Sequence, residues 1–184
     1  MRRAIGFFVD EQLPSVFYDG DTVFFYDPRD LSTITKDGGN IITRWNDRLS
    51  SGRDLVIGSA LWVDPGTVRF NGVDQYLATN NFAWPVPIFI YIILKQITWT
   101  HTRIILCPNT SNMYLYQFSV TPNVALLSGI QLNSNPDIAV GEWGILRALF
   151  NGVNSKIITN DNAPVTGDSG ATNTGNGFMV GRRP

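Results

Sequence analysis

Short runs of Val, Ile, Thr, Phe and Tyr recur along the chain, each closed by Gly, Asn, Asp or Pro, and no segment spaces its apolar residues at the ~3.6-residue period of a helix. This punctuation restricts the chain to an all-β fold. It predicts strands over 23–26, 41–45, 67–70, 88–94, 103–106, 113–120, 123–127, 143–150 and 155–159, with a last one near 177–180. Turn chemistry falls between them, in Asp37-Gly-Gly-Asn40, Asp64-Pro-Gly66, Asn71-Gly72, Asn133-Ser-Asn-Pro136 and Asn151-Gly152. Asn-Gly pairs suit such turns because both residues tolerate positive φ. Strands this numerous must pack as two antiparallel sheets, since a single open sheet would leave one apolar face in water. The Gly-, Ser-, Thr- and Asn-rich stretch 166–177 is expected to form a long loop.

The length of 184 residues suits one domain, and 43% hydrophobic against 16% charged residues gives enough apolar surface to offset the entropy of folding. A formal net charge of -1, with no basic run longer than Arg2-Arg3 or Arg182-Arg183, offers no footprint for a phosphate backbone, so no nucleic-acid partner is expected. Cys107 is the single cysteine and His101 the single histidine, so neither a disulfide nor an N/S metal site is expected, and no cofactor. The apolar stretch from Ala4 to Val9 is shorter than the ~7–15 residues of a secretory core and lacks a small-residue cleavage site. The stretch from Val86 to Leu94 is interrupted by Pro87 and stopped by Lys95, well short of the ~20 residues of a membrane span, so no membrane insertion is expected.

Two regions carry a family resemblance. The first runs from Phe25-Tyr-Asp-Pro-Arg-Asp-Leu-Ser-Thr33 through Trp45-Asn-Asp47 and Gly52-Arg-Asp-Leu55 to Val68-Arg-Phe-Asn-Gly-Val-Asp-Gln-Tyr-Leu77. The second is Glu142-Trp-Gly-Ile-Leu-Arg-Ala-Leu-Phe-Asn-Gly-Val-Asn-Ser-Lys-Ile157, followed by Thr166-Gly-Asp168 and Gly177-Phe-Met-Val-Gly181. Together they resemble the concanavalin A-like (laminin G-like) domains of bacterial surface proteins and of tailed-bacteriophage structural proteins. The resemblance implies a jelly-roll β-sandwich over residues 21–184, preceded by a leader or assembly arm at 1–20. It also implies a further strand beyond the one matching residues 177–181, whereas this sequence stops at Pro184, so another element is expected to cover that edge. The leader, with Phe7, Phe8, Val9, Leu13, Val16, Phe17 and Tyr18, is expected to pack on the sandwich or to pair with a neighbouring subunit.

Within these motifs Asn71 and Asp74 could hold calcium or a sugar, but hydrogen-bonded turn residues are their commoner role. Trp45 and Asp47 similarly read as a core anchor beside a turn cap. Catalysis is not expected. A glucanase needs two carboxylates facing each other across a groove, yet the only glutamates are Glu11 and Glu142, and neither sits in an alternating acidic strand. His101 has no evident Ser or Cys partner.

Alternation instead supplies a candidate binding face. Residues 89–95 align Phe89, Tyr91, Ile93 and Lys95, residues 113–119 align Met113, Leu115, Gln117 and Ser119, and residues 143–149 align Trp143, Ile145, Arg147 and Leu149. If these faces share one sheet, Tyr91, Lys95, Gln117, Trp143 and Arg147 line a ligand surface. The opposite set, Ile88, Ile90, Ile92, Leu94, Tyr114, Tyr116, Phe118, Leu146 and Phe150, is then the core. Two functional classes fit. One is a non-enzymatic virion structural or attachment module of a bacteriophage, assembled in the host cytoplasm as a homo-oligomer with other virion proteins and able to bind a cell-surface glycan. The other is an extracellular carbohydrate-binding domain of a bacterial surface protein.

Overall fold

The structure, a computed structural model, describes residues 24–63, 66–84, 87–110, 112–118, 122–135, 137–170 and 176–181. The leader at 1–20 lies outside them. Among the described residues fourteen strands follow in chain order: β1 (Ile34–Lys36), β2 (Ile41–Trp45), β3 (Leu55–Val63), β4 (Thr67–Arg69), β5 (Tyr76–Thr79), β6 (Ile88–Lys95), β7 (Ile104–Cys107), β8 (Tyr114–Gln117), β9 (Val124–Leu127), β10 (Gln131–Asn133), β11 (Trp143–Phe150), β12 (Ser155–Thr159), β13 (Val165–Gly167) and β14 (Met179–Val180). They form two antiparallel sheets. The larger runs β1-β2-β3-β5-β14-β7-β8-β9-β10, with β4 paired to β3, and the smaller runs β13-β12-β11-β6. The fold is the all-β sandwich that the turn pattern requires.

The core lies between the sheets. The four-stranded sheet contributes Ile88, Ile90, Ile92, Leu146, Ala148, Phe150 and Ile157 to it, all buried. Ile42, Leu55, Leu77, Leu106, Leu115 and Leu126 oppose them from the larger sheet. Each such side chain removed from water is worth roughly 1.5–3 kcal/mol before chain entropy is counted. Phe24 stacks on Phe178 with centroids 4.5 Å apart, and Tyr26 meets Trp45 edge-on at 5.5 Å. These ring pairs tie the entry segment to β2 and to the residue before β14.

Several expectations need correction. The apolar run at 24–26 is buried but is not a strand, because its backbone is claimed by a side chain: the Phe25 N–H donates to Asp47 Oδ1 at 2.6 Å. β3 was not expected at all, since Gly58 breaks its apolar run. That glycine has φ +93°, and a Cβ there would sit 2.2 Å from the Tyr76 carbonyl oxygen, so the β3–β5 ladder closes only around a residue without a side chain.

In β8 the inward face is Met113 and Leu115, both fully buried, and not Tyr114, Tyr116 and Phe118. The strand is apolar on both sides, and the tyrosines take the outer side, where their hydroxyls find partners. Tyr116 donates to Gln131 Oε1 at 2.8 Å and Tyr114 to Asn112 Oδ1 at 3.0 Å. The start of the supposed loop at 166–177 is β13 followed by a buried Ser169, whose Oγ lies 2.7 Å from that of Ser155. β14 is not an open edge either. Met179 pairs with Ala78 of β5 on one side and with Cys107 of β7 on the other, so the last strand fills a slot in mid-sheet. Among the described residues the long bare edge is β6, whose eight residues pair only with β11.

Candidate functional site

The outer face of the four-stranded sheet follows from the register of β6 against β11. With Ile88, Ile90 and Ile92 turned inward, strand alternation turns Phe89, Tyr91, Ile93 and Lys95 outward. β11 does the same with Trp143, Ile145, Arg147 and Leu149. The ladder then sets Trp143 directly opposite Lys95, and Arg147 directly opposite Tyr91. Opposed residues in an antiparallel pair lie about 4.5–5.5 Å apart, close enough for one ligand to touch both.

The two rungs differ in character. Trp143 is 55% exposed at the start of its strand, an indole with little protein against it. The Tyr91–Arg147 rung is half-buried. Arg147 reaches past the strand to donate from Nη2 to the Asn160 carbonyl oxygen, and Asn160 in turn accepts the Ile145 N–H through Oδ1 at 2.9 Å. Burial pushes the Tyr91 hydroxyl above the ordinary tyrosine pKa and nearby Asp161 pushes it further, against the opposing pull of Arg147. Tyr91 is therefore a neutral donor at physiological pH.

Four of the five candidate residues, Tyr91, Lys95, Trp143 and Arg147, thus share one face. Gln117 does not join them. It lies on β8 of the other sheet, 7% exposed, and its Nε2 donates to Gln96 Oε1 and to the Thr98 carbonyl, both at 3.0 Å. Its Oε1 accepts the Thr100 N–H at 3.2 Å. The carboxamide is committed to holding the connection between β6 and β7.

The turn residues behave as turn residues. Asn71 Oδ1 accepts the N–H groups of Val73, Asp74 and Gln75 at 2.9, 3.1 and 3.1 Å, and its Nδ2 donates to Asp74 Oδ1 at 2.6 Å. Trp45 is 4% exposed in the core. Asp47, 3% exposed, caps the 47–51 turn by accepting from Leu49 and Ser51 as well as from Phe25. His101 is exposed, with its ring 6.5 Å from that of Phe118. No helix among the described residues is long and apolar enough to cross a membrane.

One feature escaped the sequence reading. A cleft of about 720 Å³ opens beside the bare edge of β6 and runs under the β4 turn, with Trp45, Leu55, Ile92, Leu106 and Phe178 among its apolar lining. Arg69, Lys95 and Arg103 line it as well, and Trp143 stands where it meets the outer face. Three cations scattered over residues 69–103 have no periodic signature that would announce a common site.

No protein-family model, no curated protein and no solved structure matches this chain.

Proposed function

We propose that this domain is a non-enzymatic recognition module of the concanavalin A-like, laminin G-like type, acting as a virion structural or attachment component of a bacteriophage, as a decoration, head-fibre or tail-fibre protein. Its ligand is a cell-surface glycan, held on the outer face of the four-stranded sheet. The observation that carries this reading is the exposed indole of Trp143 with Lys95 opposite it and the Tyr91–Arg147 rung on the same face four residues further along. An exposed aromatic face covers the apolar face of a sugar ring, while flanking cationic and hydroxyl donors reach its oxygens. The Phe70-Asn-Gly-Val-Asp-Gln-Tyr-Leu77 motif and the two-sheet architecture support the family assignment. The virion setting rests on the likeness of those motifs to phage structural domains.

A glycan array probed with the full chain tests the ligand. Retention of a defined group of glycans is expected, and a blank array overturns the reading. The second class, a carbohydrate-binding domain of a bacterial surface protein, uses the same face and differs in assembly. A stable symmetric homo-oligomer in light scattering supports the virion component, because fibres and decorations are built from repeated subunits. A monomer at every concentration supports the surface-protein domain.

A further inference from the structure

The cleft beside β6 has the size of a small-molecule pocket, about 720 Å³ where such sites span roughly 300–1,000 Å³. Trp45, Leu55, Ile92, Leu106 and Phe178 give it a large apolar surface suited to an apolar chain. Its charge is one-sided. Among the described residues that line it the only acid is Asp27, and that carboxylate is already paired with Arg29 at 2.8 Å and Arg48 at 3.5 Å. Arg69, Lys95 and Arg103 are exposed and have no ion-pair partner among the described residues. An apolar trough edged by three cations that pair with no described acid asks for a molecule that is apolar along its length and anionic at its head. We propose that the cleft binds a single-chain amphiphile with an anionic head, its tail on the floor between the sheets and its head among Arg69, Lys95 and Arg103.

Most of the affinity comes from the tail, since each methylene taken from water contributes about 0.8 kcal/mol. The head decides which amphiphile is held: a carboxylate, sulfate or phosphate monoester accepts from guanidinium and ammonium groups, whereas a neutral head offers the cations no opposite charge. The cleft meets the glycan face at Lys95 and Trp143, but Arg69 and Arg103 do not belong to that face. Substituting these two arginines therefore separates the proposal from the glycan reading.

The test is calorimetric titration of the full chain with dodecanoate and with dodecanol, both as monomers. Saturable binding of dodecanoate at one site is expected, roughly tenfold tighter than dodecanol, with the preference shrinking at high salt. The double substitution R69Q/R103Q should bring dodecanoate close to the level of dodecanol while leaving dodecanol binding, thermal stability and glycan retention unchanged. Absence of saturable uptake overturns the proposal, and so does equal affinity for the two probes. Cosedimentation with anionic vesicles without uptake of monomeric dodecanoate also overturns it, because the cations would then serve as a surface patch rather than as part of a pocket.

Discussion

Replacing Asp47 with Asn isolates the chemistry of one buried carboxylate at constant volume. Its Oδ1 accepts the N–H groups of Phe25 at 2.6 Å and Leu49 at 3.2 Å, and its Oδ2 accepts that of Ser51 at 3.0 Å. The residue is 3% exposed, so water cannot replace what is lost. With the retained oxygen kept toward Phe25 and Leu49, those two bonds lose charge assistance, about 1 kcal/mol each. The amide now facing Ser51 sets a donor against a donor, which costs a further 1–3 kcal/mol or so. The sum is about 3–5 kcal/mol. For a chain of this size 1 kcal/mol moves Tm by about 2–4 °C, giving a fall of roughly 6–20 °C. Differential scanning calorimetry of Asp47→Asn beside Asp74→Asn, an exposed carboxylate in another turn, reads the effect directly. A Tm for Asp47→Asn within about 2 °C of the wild type would refute the reasoning, because surface substitutions of ordinary kind fall in that range.

Two other predictions follow from buried groups. Tyr26, Tyr91 and Tyr116 all have hydroxyls pushed above the ordinary value of 10.0, chiefly by burial. In the unfolded chain they ionise at that ordinary value and in the folded chain later, so the stability they contribute is intact below about pH 10 and is lost as pH rises beyond it. Ionisation of these three hydroxyls should therefore accompany loss of near-UV circular dichroism, and their ionisation at the ordinary value of 10.0 with the fold intact would contradict this. Gly170 has φ +94°, and a Cβ there would fall 2.2 Å from the Ser128 carbonyl oxygen and 2.7 Å from the Ile130 nitrogen. Gly170→Ala should cost roughly 3 kcal/mol or more in denaturant unfolding, and a cost under 1 kcal/mol would show that the 128–130 turn is free to move.

How much of this was legible in the sequence depends on whether a strand's two faces differ. β6 alternates Ile88, Ile90, Ile92 and Leu94 with Phe89, Tyr91, Ile93 and Lys95, and β11 alternates Trp, Ile, Arg and Leu with small or apolar residues, so both strands and their inward faces followed from periodicity. The same alternation placed Tyr91, Lys95, Trp143 and Arg147 together, because β6 and β11 are neighbours in full register. β8 offered no such asymmetry, with Met, Leu, Tyr and Phe on its two sides, and its faces came out reversed. Gln117 went with it onto the other sheet, where nothing local to its strand revealed the hydrogen bonds to Gln96, Thr98 and Thr100. β3 was hidden by the glycine that lets it pair. The cleft is a product of topology, since β14 closes the middle of the large sheet while β6 is left as the edge of the small one.

The most direct test of the account is the equilibrium affinity of the wild type and Trp143→Ala for the immobilised glycan that the wild type retains best, with Tm measured for both. Trp143 is 55% exposed, so its removal should leave Tm within about 2 °C. The loss of an aromatic stacking surface should weaken binding about tenfold or more. Equal affinity of the two proteins would contradict the central claim that the outer face of the four-stranded sheet is the surface with which this domain recognises its ligand.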